Sequence, residues 1–90
     1  MIERVIRAND GMHKWIAEFK NGRRTRFGAV GYTDYTQGAT HHRREMYRSR
    51  HRKDLQTYDP YRAGYLSFWL LWGPSRDMET NIRNYNARFF

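Results

Sequence analysis

Asn21-Gly22 is the tightest constraint on this chain. Both central positions of a type I′ turn need positive φ, which Asn and Gly accept most readily, and the flanking residues alternate as hairpin strands do. Upstream, His13, Trp15, Ala17 and Phe19 fall on one side, with Lys14, Ile16, Glu18 and Lys20 on the other. Downstream, Arg23, Thr25 and Phe27 oppose Arg24 and Arg26. An earlier segment, residues 2–8, alternates more loosely and ends at Asn9-Asp10-Gly11. The pattern predicts a three-stranded antiparallel meander over residues 2–28. Its aromatic face (Trp15, Phe19, Phe27) must be covered by later chain, while Lys14, Lys20, Arg24 and Arg26 stud the other face.

Residues 29–39 read as a turn-rich connector, in which Asp34 and the Thr residues can bond local backbone. Thr40 is a suitable N-cap for a basic helix over residues 40–54, docked by one edge because only Met46 and Tyr47 interrupt its polar character. Asp59-Pro60 reads as the start of an aromatic helix over 60–72, ended by Gly73-Pro74. Ser75 reads as the cap of an amphipathic helix over 75–88, with Met78, Ile82, Tyr85 and Phe89 as its apolar stripe. The expected class is α+β: one small domain, with a three-stranded N-terminal sheet and about three helices packed on its aromatic face.

Composition narrows the function. Hydrophobic residues make up 39% of the 90, and 17% are aromatic, so a few large side chains must build the core. That aromatic content marks a folded chain despite a mean hydropathy of -1.04. The block Tyr65 to Trp72 is expected to supply most of that core. Its apolar run, Phe68 to Trp72, is far short of the ~20 residues that cross a bilayer, so no membrane span is expected. Residues 1–10 already carry Glu3, Arg4 and Arg7, unlike a signal peptide. With no Cys, disulfide, thiolate-zinc and cysteine-nucleophile chemistry are excluded.

Lys plus Arg total 17 against 9 Asp plus Glu, and only Lys14, Lys20 and Lys53 are lysines. Arg grips phosphate or carboxylate with a rigid fork of donors, so the bias points to anion recognition. The candidate contacts are Arg43, Arg44, Arg48, Arg50, Arg52 and Lys53 on the basic helix, supported by Arg24 and Arg26 on the sheet. Tyr32, Tyr35, Tyr47, Trp72, Phe89 and Phe90 are candidate partner-interface residues; packing or interface use is expected ahead of base stacking. On one helix His42 and His51, nine residues apart, point to nearly opposite sides. His41 and His51 also lack the i, i+4 spacing of helical metal ligands. Gly28-Ala29-Val30-Gly31 is a turn, since no Gly-Lys-Ser/Thr follows it. No catalytic residue, metal or cofactor is expected.

Phe27-Gly28-Ala29-Val30-Gly31-Tyr32-Thr33-Asp34-Tyr35-Thr36, Arg43-Arg44, Tyr47-Arg48-Ser49-Arg50-His51, Ala63-Gly64-Tyr65 and Trp69-Leu70-Leu71-Trp72-Gly73 follow one another in order. This series, within about residues 12 to 73, resembles an uncharacterised family of small basic proteins encoded by large double-stranded DNA viruses and large tailed phages. The chain departs from that pattern between Thr36 and Arg43, where a His followed by a charged segment would stand nearer Thr36. The resemblance implies a viral product in the host cell, cytoplasm or nucleus, and packaged in the virion. The expected function is a non-enzymatic virion-associated protein docked on capsid or other virion proteins and holding an anionic surface with its Arg-rich helix. The alternative is a sequence-tolerant protein that binds viral DNA or RNA in packaging, replication or transcription.

Overall fold

A computed structural model describes residues 1–90. Two turns build an antiparallel sheet in the order β1 (Ile2–Arg7), β2 (His13–Phe19), β3 (Arg24–Ala29). The β2–β3 hairpin forms where Asn21-Gly22 places it, but not as a type I′ turn, because only Gly22 has positive φ (89°). The loop is three residues, Lys20-Asn21-Gly22, closed by the Gly22 N–H on the Phe19 carbonyl and the Phe19 N–H on the Arg23 carbonyl. Trp15 pairs with Phe27 and Ala17 with Thr25, while Ile2 sits opposite Phe19 beyond a bulge between Ile2 and Arg4. This register gathers Ile2, Ala17, Phe19 and Phe27 on one face, where all four are buried.

The aromatic block covers that face. The helix α2 (Ala63–Leu66) runs straight on into a π-turn, Ser67–Leu71, in which the Trp72 N–H donates to the Ser67 carbonyl five residues back. Leu66, Leu70, Leu71 and Trp72 join the sheet residues in a single core with Tyr65 and Tyr85. Trp69 alone of the block's two Trp residues stays at the surface, half-buried beneath the Arg88 guanidinium at 4.5 Å. The last helix, α3 (Met78–Phe89), closes the core with Tyr85, backed by the partly buried Met78, Ile82 and Phe89. Its Asn86 side chain reaches the first strand: the Ile2 N–H donates to Asn86 Oδ1 at 2.8 Å, and Asn86 Nδ2 donates to the Ile2 carbonyl at 3.0 Å.

The helix α1 (His41–His51) starts on Thr40, whose hydroxyl accepts from the Arg43 N–H. It buries none of its residues completely. From Arg52 to Thr57 the chain tightens into a 3-10 turn, so the regular helix ends before residue 54.

Two helix starts differ from the sequence reading. Asp59-Pro60 does not open α2; Asp59 Oδ1 accepts from the Tyr61 N–H, and the helix begins after Arg62. Tertiary contacts hold this stretch out of the helix, because the Tyr61 ring packs edge-on against Phe19 at 4.6 Å and its carbonyl accepts from Thr25 Oγ1. Ser75 does not cap α3; the Asp77 carboxylate does, accepting from the Thr80 N–H, while Ser75 accepts from the Asp77 N–H one step earlier. A third local feature, Gly73, lies so close to the π-turn that a Cβ there would stand 2.1 Å from the Trp69 carbonyl oxygen. Gly73→Ala is therefore expected to destabilise the protein by about 2 kcal/mol or more, read as a lower midpoint in urea denaturation.

Candidate anion-binding cleft

One cleft of about 690 Å³ opens between α1 and the β3–α1 connector, with Leu71 and Trp72 among its lining residues. The connector wall is fixed by an unexpected residue. Lys14, assigned by strand alternation to the exposed polar face, has only 11% of its side chain accessible. Its ammonium donates to Asp34 Oδ2 and Gln37 Oε1, both at 2.7 Å, and to the Tyr32 carbonyl. Asp34 is buried and accepts in addition from the N–H and hydroxyl of Thr36, capping a short 3-10 turn. No local sequence signal marks Lys14 for this task, because its partners are fixed by tertiary folding. The local bonding of Asp34 was legible.

The opposite wall is α1. At about 100° per residue, His42, Met46, Arg50, Arg43, Tyr47 and His51 cover one half of the helix circumference, and all six line the cleft. His42 and His51 do point to opposite sides, as their spacing requires, and so become the two rims of one cavity. Tyr47 is held in a three-ring column, stacked on His51 at 4.1 Å and on Trp72 at 4.5 Å. Burial, with the Asp54 charge adding to it, pushes the Tyr47 hydroxyl up to about 12.

The side of α1 that carries Arg44 and Arg48 faces inward, which corrects two of the candidate anion contacts. Arg48 donates through Nη1 to the Trp72 carbonyl at 2.8 Å and the Phe68 carbonyl at 3.3 Å, with its guanidinium 4.1 Å over the Phe68 ring. Burial first, then the nearby Arg44, lowers its pKa. Arg44 donates through Nε to the Gly73 carbonyl at 2.8 Å and through Nη1 to Glu45. These two arginines build the fold, because the carbonyls at the end of the π-turn lack backbone partners that a continuing helix would supply. Arg43, Arg50, Arg52 and Lys53 remain exposed, with Arg43 and Arg50 in the cleft and Arg52 and Lys53 beyond it. Arg24 and Arg26 are taken up on the sheet by Glu18 at 3.0 Å and Asp10 at 3.3 Å, and neither lines the cleft.

The candidate interface aromatics divide in the same way. Tyr32 is 69% exposed and stands in the cleft. Tyr35 lies under the Arg76 guanidinium at 4.0 Å, and Trp72 is buried. Phe89, half-buried, packs on Tyr85 at 4.8 Å and Tyr65 at 5.4 Å against its own core. Phe90, partly exposed, leans on Tyr61 at 5.5 Å. His41, His42 and His51 do not converge: His41 faces Glu45 at 3.8 Å, His51 bonds Asp54 at 3.0 Å, and no three His, Asp or Glu side chains are grouped as metal ligands.

Among known proteins, a family model described as a family of unknown function (DUF5754) matches residues 3–51. No curated protein matches the chain, and no solved structure does.

The two classes of arginine should separate in denaturation. Arg48→Met strands two carbonyls and is expected to cost about 2–3 kcal/mol, whereas Arg43→Met or Arg50→Met should stay within about 0.5 kcal/mol. A second check is alkaline. A Tyr47 hydroxyl at about 12 when folded, against about 10 unfolded, binds its proton more tightly in the native state. Its contribution to stability is full below pH 10 and lost as pH rises towards 12. Titration at 295 nm should show a tyrosine ionising near pH 12 that shifts downward in Tyr47-intact, urea-unfolded protein.

Proposed function

Since the chain belongs to the DUF5754 family of unknown function, we propose from its geometry that it is a non-enzymatic binding protein of a virus particle, docked on capsid components and holding an anionic surface against the outer side of α1. The observation that carries this reading is the division of the basic segment. Its ion pairs are His41–Glu45, Arg44–Glu45 and His51–Asp54. Arg43, Arg50, Arg52 and Lys53 take part in none, and like charges so near one another repel unless a partner neutralises them. The viral setting is supported by the ordered motifs from Phe27 to Gly73.

Sequence-tolerant binding of viral DNA or RNA is the second reading. It is favoured by the exposed Tyr32 ring standing in the same cleft as Arg43 and Arg50, because bases stack on aromatic rings without regard to sequence.

Particle mass spectrometry tests the virion placement: the protein should be present in purified virus, and its absence would remove that placement. Binding to labelled duplex over a salt series tests the anion. A nucleic-acid surface should give log K falling with log salt by about 0.9 per phosphate neutralised. Arg52→Ala with Lys53→Ala should reduce that slope by about 2 without changing sequence preference. No binding near physiological salt would assign the four cations to an acidic protein surface.

A further inference from the structure

We infer that the cleft between α1 and the connector is a binding site for one nucleotide unit, its phosphate held by Arg43 and Arg50 and its base laid against Tyr32. The inference rests on the reading of α1 as an anion-binding surface and names what the inner side of that surface takes.

The cleft has the size of a small-molecule site, about 690 Å³ against a usual range of roughly 300–1,000 Å³. Its charged groups are not equivalent. Lys14 is saturated by Asp34, Gln37 and the Tyr32 carbonyl, so it holds the wall and offers little to a ligand. Arg43 and Arg50 have no carboxylate and no side-chain hydrogen bond, and they stand on the part of α1 that faces the cavity centre. Two unpaired guanidiniums in a partly apolar cavity call for an anion with several acceptor oxygens.

The aromatic groups are not equivalent either. Both faces of Tyr47 are covered, by His51 on one side and Trp72 on the other, so Tyr47 offers no free ring face. Tyr32 does: it is 69% exposed, and no ring or cation of this protein stacks on it. Across from it on α1, Met46 is 48% exposed and lines the same cavity, a polarisable thioether that suits a ring edge or face. An unstacked ring and an exposed thioether beside two unpaired forks fit a ligand that carries a flat ring and an anion in one compact unit. A nucleotide does so; an unmodified peptide would have to bring the two on separate side chains.

The chemistry is shared by a free nucleotide and by one unit of a single strand, and calorimetry with the full chain distinguishes them. The probes are AMP, inorganic phosphate and an eight-nucleotide DNA strand. AMP should bind and phosphate should bind markedly more weakly. Arg43→Gln with Arg50→Gln should weaken AMP about tenfold or more, Tyr32→Ser about fivefold or more, and Arg83→Gln, on α3 and outside the cleft, not at all. All these side chains are exposed, so the variants should keep the wild-type urea midpoint. A strand at least tenfold tighter than AMP identifies single-stranded nucleic acid as the source; equal affinity identifies the free nucleotide. Phosphate binding as well as AMP, or AMP indifferent to Tyr32→Ser, would overturn the site. A strand held only through Arg52 and Lys53 would overturn it while leaving the basic surface of α1 in place.

Discussion

The ammonium of Lys14 organises the part of this molecule that has no regular structure. Three acceptors converge on it from Tyr32, Asp34 and Gln37, and Asp34 in turn gathers the backbone and hydroxyl of Thr36. Ala39 and Tyr35 anchor the far end of the connector, but its first part, with its glycines and exposed Val30 and Tyr32, contributes no core and would otherwise have little to hold it. Removing one partner from so buried a pair typically costs 3–5 kcal/mol, because the other charge is left uncompensated. The strand therefore positions the loop, the loop positions Tyr32 opposite α1, and the cleft exists because both walls are held.

The second wall depends on a division of labour among chemically identical residues. Arg44 and Arg48 cap the carbonyls that the π-turn and Gly73 leave open, and their stems and planes pack on aromatic rings. Burying a guanidinium is tolerable only when its donors are used and its planar face is covered. With those two turned inward, the helix is anchored without a single fully buried apolar residue. Its remaining cations are left free for solvent or a ligand. A helix anchored through Leu or Ile would have required a different composition, and mean hydropathy would not have been so low.

Strand order, the aromatic face and the block that covers it were legible because each rests on local chemistry: a glycine-bearing turn, a period of two, a run of apolar residues. Thr40 as a cap and the stripe on α3 were legible for the same reason. The turn type was not, because Lys20 joins the loop and only Gly22 takes positive φ there. Most of what could not be read was decided by contacts distant in sequence; the cap of α3 was a local choice between neighbouring residues. Tyr61 is wanted against Phe19, so the turn at Asp59-Pro60 never becomes helix. Asp77 stands two residues beyond Ser75 and supplies a carboxylate in place of a hydroxyl. Within the candidate site, the sequence marked the arginines but could not sort them, since 100° of rotation separates a capping Arg44 from a cleft-facing Arg43. The spacing of His42 and His51 was read correctly in angle, yet a cavity spanning half the helix brings opposite sides to one place.

The paired bonds between Asn86 and Ile2 join the first strand to the last helix across 84 positions of the chain. Such a clasp gives nothing until both ends exist, and loop closure over that distance comes before any contact repays it. During synthesis all three strands are made before α3, so the sheet can pair before this clasp is possible. The closing amide arrives last. The tail is what locks the beginning.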